Sequence, residues 1–261
     1  MTTDQHRTWV FIRGLTREAE HWGTFLDFFR QTFPNDQIIC PDLPGTGVNW
    51  QGTSPTSIPE MTMALRRSVY EVVPTDRRIH LLAVSLGGMV ASEWIAQDPD
   101  HIEAVVVMNS SSKGLSPIYK RLRVKTFFRL LFLTFAPNVE RREKVILART
   151  SNNEQARAQA HASWVSIQKN RPISKRNALR QMYAASKYRI KKIPASVRAL
   201  VYASHKDRLV NVSCSEDLRN YWNCDLIYHP TAGHDLALDD PEWLCRSVKD
   251  WLDLHSLPRS A

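Results

Sequence analysis

RIHLLAVSLGGMVASEWIAQ, residues 78–97, changes its hydrophobic period half-way along, and that change decides the fold. Residues 78–84 form a short, nearly continuous apolar run, the pattern of a strand buried on both faces. From residue 85 onward the apolar positions Met89, Val90, Trp94 and Ile95 fall at helical spacing instead. Strand, sharp turn and helix therefore meet at Ser85. A strand running straight into a helix opens a βαβ crossover, and a crossover implies a parallel neighbour.

The same reading extends outward in both directions. TWVFI at 8–12 reads as a strand ending at an Arg13-Gly14 turn, and QIIC at 37–40 as a second buried strand. IEAVVVMN at 102–109, ALVYAS at 199–204 and CDLIYH at 224–229 supply three more. Helices are expected from about Glu18 to Phe33, with Trp22, Phe25, Leu26 and Phe29 at helical spacing, near Glu60 to Val72, and at 241–255. Six strands separated by helices imply an α/β fold with a mostly parallel, doubly wound sheet.

Charge divides the chain. Residues 113–192 hold 20 Lys and Arg against three acids, a net of +17, so the rest of this +9 chain carries −8. The basic segment reads as helices over 117–135, 139–149, 154–168 and 174–188, broken at Pro137, Asn152-Asn153 and Arg171-Pro172. We expect it to be a helical cap inserted into a core made of 1–112 and 193–261. Its plainest role is a solvated surface that aids solubility. The competing roles are docking to an acidic protein or acyl carrier, or to an anionic membrane, through clusters such as Lys120, Arg121, Arg123 and Lys125, or Arg141, Arg142 and Lys144. No nucleic-acid motif accompanies the charge, so nucleic acid is not an expected partner.

Composition narrows the class. A chain of 261 residues, 43% hydrophobic and 23% charged, is long enough to bury a core without staples. Cys40, Cys214, Cys224 and Cys245 show neither C-x-x-C pairing nor metal-ligand spacing. Reduced thiols and a cytoplasmic location are expected. The N-terminus lacks the pattern of a signal peptide, and the longest strongly apolar run, nine residues from Phe127, contains Arg129.

The chemistry centres on Ser85, in AVSLGG, a near match to G-x-S-x-G with Ala83 in place of the first glycine. Small residues are needed on either side because the strained strand-to-helix turn brings neighbouring backbones into contact. Asp207, in HKDRLV, follows one strand, and His234, in TAGHDL, follows the last. Both fall just past the carboxyl ends of their strands, where open α/β sheets place their sites. The order Ser, Asp, His is one in which a serine nucleophile acquires a base and the base an orienting acid.

With RGLTREAEHW at 13–22, DLPGTG at 42–47, AVSLGG at 83–88, ASHKDRLV at 203–210 and AGHD at 232–235, the chain resembles the α/β-hydrolase fold family, of the cap-bearing serine carboxylesterase type. The resemblance implies Ser85 as nucleophile, His234 as general base, Asp207 as its acid, and the backbone N–H groups of Leu15 and Leu86 as oxyanion hole. It implies an ester or thioester substrate with an apolar acyl group, and neither metal nor organic cofactor. Three departures stand out: Arg13-Gly14 replaces the usual His-Gly, Ala83 replaces a glycine, and two strands common at the start of the family have no counterpart before Thr8.

Each residue has bland competitors. For Ser85 the competing role is a helix N-cap. Asp217, Asp225 and Asp235 compete with Asp207, while His205 and His229 read as partly buried structural histidines. Asp42 before a Pro-Gly turn is expected to bind loop amides. Gly45-Thr46-Gly47 lacks the rest of a dinucleotide fingerprint. Trp22 and Trp164 are core candidates that could also face a pocket. Two other functional classes stay open: a triad-bearing binding or signalling module with little turnover, suggested by Arg13, and a lyase or cofactor-free oxidase on the same triad. Dehalogenase and epoxide hydrolase chemistry would need an Asp at position 85.

Overall fold

The computed structural model describes residues 6–74, 77–122 and 138–256. Six strands pair into one sheet, all parallel, in the order β2-β1-β3-β4-β5-β6: β1 Thr8–Ile12, β2 Gln37–Ile39, β3 Ile79–Val84, β4 Ile102–Met108, β5 Arg198–Ser204 and β6 Asp225–His229. Alternation along β1 shows why two layers of helix form. Val10 and Ile12 enter one core with Leu81, Val105 and Val201, while Trp9 and Phe11 enter the other with Leu82, Val106 and Tyr202. The first core is covered by α2 (Ile58–Tyr70), α3 (Leu86–Gln97) and α7 (Ser213–Trp222); the second by α1 (Phe25–Thr32) and α8 (Pro241–Ser256).

Two expectations change. The helix over 18–33 is two pieces, a 3-10 turn at Ala19–Trp22 and α1, because Gly23 takes φ +49° between them. The strand at β2 is an edge strand, with Gln37 exposed and Ile38 and Ile39 half-buried, so it is not buried on both sides. Three helices lie between β4 and β5 as read: α4 Val139–Thr150, α5 Glu154–Asn170 and α6 Lys175–Lys187. Asn138, Asn153 and Ser174 cap their N-termini. Of the expected helix at 117–135, the described residues contain one turn, Ile118–Arg121, and the rest, with Arg123 and Lys125, lies outside them.

Sheet order reverses between β1 and β3. The crevice outside the carboxyl ends of these two strands is where this topology leaves room for a ligand.

Candidate active site

Ser85 sits at that crevice. It follows the last residue of β3 with φ +57° and ψ −117°, a strained conformation for any residue with a side chain. The surroundings over-determine it. Ser85 N–H donates to the carbonyl of Met108 (2.9 Å), and its own carbonyl accepts from Ser110 Oγ (2.7 Å) and Gly88 N–H (3.0 Å). Only a residue without Cβ fits at 87, since a methyl there would lie 2.3 Å from the carbonyl oxygen of Ile12. Gly14 is under a milder version of this limit, with a Cβ position 3.2 Å from that of Ser85.

Asp207 and His234 come together from loops after β5 and β6. His234 Nδ1–H donates to Asp207 Oδ2 at 2.8 Å, and both residues are buried. The other oxygen of Asp207 accepts the amides of Leu209 (2.7 Å) and Val210 (3.1 Å), which fixes the carboxylate. The bond to Asp207 leaves His234 Nε2 as the free basic nitrogen. Burial works hardest against a charged His234, but the charge and hydrogen bond of Asp207, with Asp235 beyond, outweigh it and raise the imidazole above its ordinary pKa.

Ser85 and His234 line one cavity of about 440 Å³, mostly apolar, together with Leu15 and Leu86. Leu86 is the first residue of α3, so its N–H has no acceptor within that helix. Residues of α4, α5 and α6 also line the cavity, among them Ile146, Trp164 and Met182.

The rivals resolve into structural roles. Asp217 accepts from Ser116, Asp225 from the Trp251 indole, and Asp235 holds Arg13. Asp42 accepts the amides of Ala19 (2.7 Å) and Val48 (2.8 Å), as a loop organiser. His229 is buried and accepts the amide of Ala232 through Nδ1 (2.8 Å), shaping the turn that leads to His234. His205 is exposed and stacks on Tyr228, so it is not the partly buried residue expected. Trp164 lines the cavity, whereas Trp22 lies in the core beneath Arg13.

Sequence reasoning missed the roles of five residues. Asn109, at φ +49° just past β4, donates through Nδ2 to Ser204 Oγ (2.9 Å) and to the carbonyl of His234 (2.9 Å), and its Oδ1 accepts Ser204 N–H (2.9 Å). It ties three strand ends together. Asp239 accepts the amides of Gly233 (2.6 Å) and Asn152 (2.9 Å), anchoring the His234 loop to the end of α4. Arg13 forms a two-point ion pair with Asp235 at 2.5 and 3.3 Å, and its guanidinium lies 4.6 Å from the centre of the Trp22 ring. Arg121, read as part of a surface cluster, is buried and lines the cavity, and Arg142 lines it as well. An Asn directly after a strand is the one signal available for Asn109, since Asn tolerates the positive φ found there; the others have none short of tertiary structure.

The described residues contain no cluster suited to a metal ion and no helix long and apolar enough to cross a membrane. No curated protein sequence matches this chain. Among solved structures it is similar to an esterase from Rhodococcus sp. ECU1013, at 14% identity and TM-score 0.74, covering 96% of this chain and 92% of that one. An esterase from Thermogutta terrifontis superposes at 16% identity and TM-score 0.72, covering 96% and 90%. The enol-lactonase from Burkholderia xenovorans LB400 does so at 14% identity and TM-score 0.72, covering 95% and 92%. These likenesses show the fold. Residues 9–247 match the sequence profile of the alpha/beta hydrolase family, and with that match spanning the sheet, the Ser85 turn and the His234 loop, the chain belongs to that family.

Proposed function

We propose that this protein is a serine hydrolase that cleaves a carboxylic ester or thioester with an apolar acyl group. The observation that carries the reading is the 2.8 Å bond from His234 to Asp207, with His234 and the strained Ser85 on the wall of one mostly apolar cavity. Ser85 Oγ attacks the carbonyl carbon while His234 Nε2 takes its proton, and Asp207 holds the tautomer and faces the imidazolium that forms. The N–H groups of Leu15 and Leu86 receive the oxyanion. Collapse expels the alcohol or thiol, which takes the proton back from His234, and leaves an acyl group on Ser85. Water, deprotonated by the same nitrogen, then releases the acid and regenerates the serine. In this reading residues 113–192 are the cap that selects the acyl group, and 1–112 with 193–261 are the catalytic body.

Ser85→Ala is expected to lower kcat by about 10⁴ to 10⁶ on a nitrophenyl ester panel and to abolish labelling by a fluorophosphonate, with the fold intact by circular dichroism. Asp207→Asn is expected to lose several orders of magnitude by favouring the wrong tautomer. A Ser85→Ala protein that keeps a tenth of the activity at matched purity would overturn the assignment. Arg13, whose place beside the oxyanion loop motivates the alternative of a binding module, has its guanidinium engaged by Asp235.

A further inference from the structure

The cavity that holds Ser85 is mostly apolar, yet four arginines line it, Arg13, Arg17, Arg121 and Arg142. Three have carboxylate partners. Arg13 pairs with Asp235, while Arg17 (2.8 Å) and Arg142 (3.4 Å) share Glu143. Glu143 and Asp235 also line the cavity, so its wall holds four guanidinium groups against two carboxylates.

Among the described residues Arg121 has no carboxylate partner. It is only 7% exposed, and its head group donates to backbone carbonyls, Nη2 to Ala185 (2.8 Å) and Nη1 to Ser186 (3.3 Å). Its buried Nε has no hydrogen-bond partner among the described residues. The titratable side chain that acts on it is Cys214, whose thiol burial pushes above its ordinary value, so it stays neutral and supplies no counter-charge. An isolated cation in an apolar wall is costly unless an anion meets it. Carbonyl dipoles lessen that cost without cancelling the charge. Two of the five guanidinium N–H groups go to carbonyls of the described residues, so donors remain for a planar carboxylate, which takes two parallel N–H bonds.

We propose that the substrate carries a carboxylate in addition to its scissile ester or thioester bond, and that the surplus positive charge of the cavity wall, Arg121 above all, recognises it. The inference rests on the hydrolase reading and adds the substrate class. Ile118 and Tyr119, which line the cavity and are exposed, mark the side of the wall nearest solvent from which such a substrate would enter.

The test compares 4-nitrophenyl hydrogen adipate with 4-nitrophenyl hexanoate, esters of similar length that differ by one carboxylate. Wild-type kcat/KM is expected to favour the adipate ester by at least tenfold, and the preference should shrink with added salt. Arg121→Met is expected to lower the ratio of the two values at least tenfold, whatever it does to either alone, and Arg121→Lys to restore part of it. Free adipate, titrated calorimetrically into Ser85→Ala, reads the same site without turnover, and Arg121→Met in that background should weaken it at least tenfold. Ser85-dependent hydrolysis of both esters without preference, and no adipate binding, would overturn the carboxylate inference and leave the hydrolase reading standing. Adipate binding that depends on Arg121 without hydrolysis of either ester would do the reverse. Should Arg121→Met not fold, the wild-type ratio alone decides, and a ratio of one or less overturns the proposal.

Discussion

Two residues flank His234 in opposite senses. Asp235 raises the imidazole pKa and Arg13 lowers it, while the two neutralise each other through their ion pair. Because only neutral imidazole accepts the serine proton, kcat/KM should rise with pH through a value above 6.5, the ordinary imidazole pKa. Arg13→Gln leaves the carboxylate of Asp235 uncompensated beside the ring, so the rise should move to higher pH. Asp235→Asn removes a negative charge and leaves the guanidinium, so it should move to lower pH. Measured profiles that shift in the same direction, or not at all, would show that the pair does not reach the base. Each variant also breaks a buried pair and should cost about 3–5 kcal/mol in urea titrations.

The element that matters most is the strand-turn-helix unit around Ser85. Residue spacing alone located it, because an abrupt change of period needs no tertiary information. What spacing could not show is how closely α3 approaches β1. Gly87→Ala places a methyl against the Ile12 carbonyl, which belongs to backbone and cannot swing away, so about 1–3 kcal/mol of stability should be lost. Gly14→Ala, with contacts no closer than 3.2 Å, should cost much less. Equal midpoints for the two variants in thermal melts would contradict this account. Ala83 lies fully buried in β3, paired between Ile12 and Val107, so the departure from glycine falls inside a strand where alanine is accommodated.

For the whole molecule, the charge asymmetry turns partly inward. Arg171 of the basic 113–192 segment grips Glu18 and Glu20, Arg17 reaches Glu143 in return, and Arg121 and Arg142 line the cavity. The +17 is therefore not all available as an outer docking face, and Arg121 belongs to the interior rather than to the surface cluster expected of it. Acid sensitivity is another global property. Burial, with Arg7, Arg198 and Arg78 nearby, lowers His80 to about 3. Unfolding releases it to about 6.5, so the unfolded chain binds the extra proton, and stability present above pH 6.5 drains as pH falls from there towards 3. His80→Leu should flatten that part of the pH dependence by up to about 1.4 kcal/mol per pH unit. Parallel urea-midpoint curves for the two proteins over pH 4–6.5 would refute this.

The parallel sheet, its helical crossovers, the serine turn and the strand-end positions of Asp207 and His234 were legible in the sequence, because period changes, Gly-Pro punctuation and chain order are local. The edge position of β2 was not, since QIIC is apolar whether a strand has one neighbour or two. The break at Gly23 was hidden by apolar spacing that continues across it. The pairings Arg13 with Asp235, Arg17 with Glu143 and Arg171 with Glu18 join residues more than a hundred positions apart. Only folding decided whether a given arginine met a carboxylate, the solvent or, as with Arg121, the wall of the cavity. A charge's surroundings come from chain segments that the local sequence does not contain.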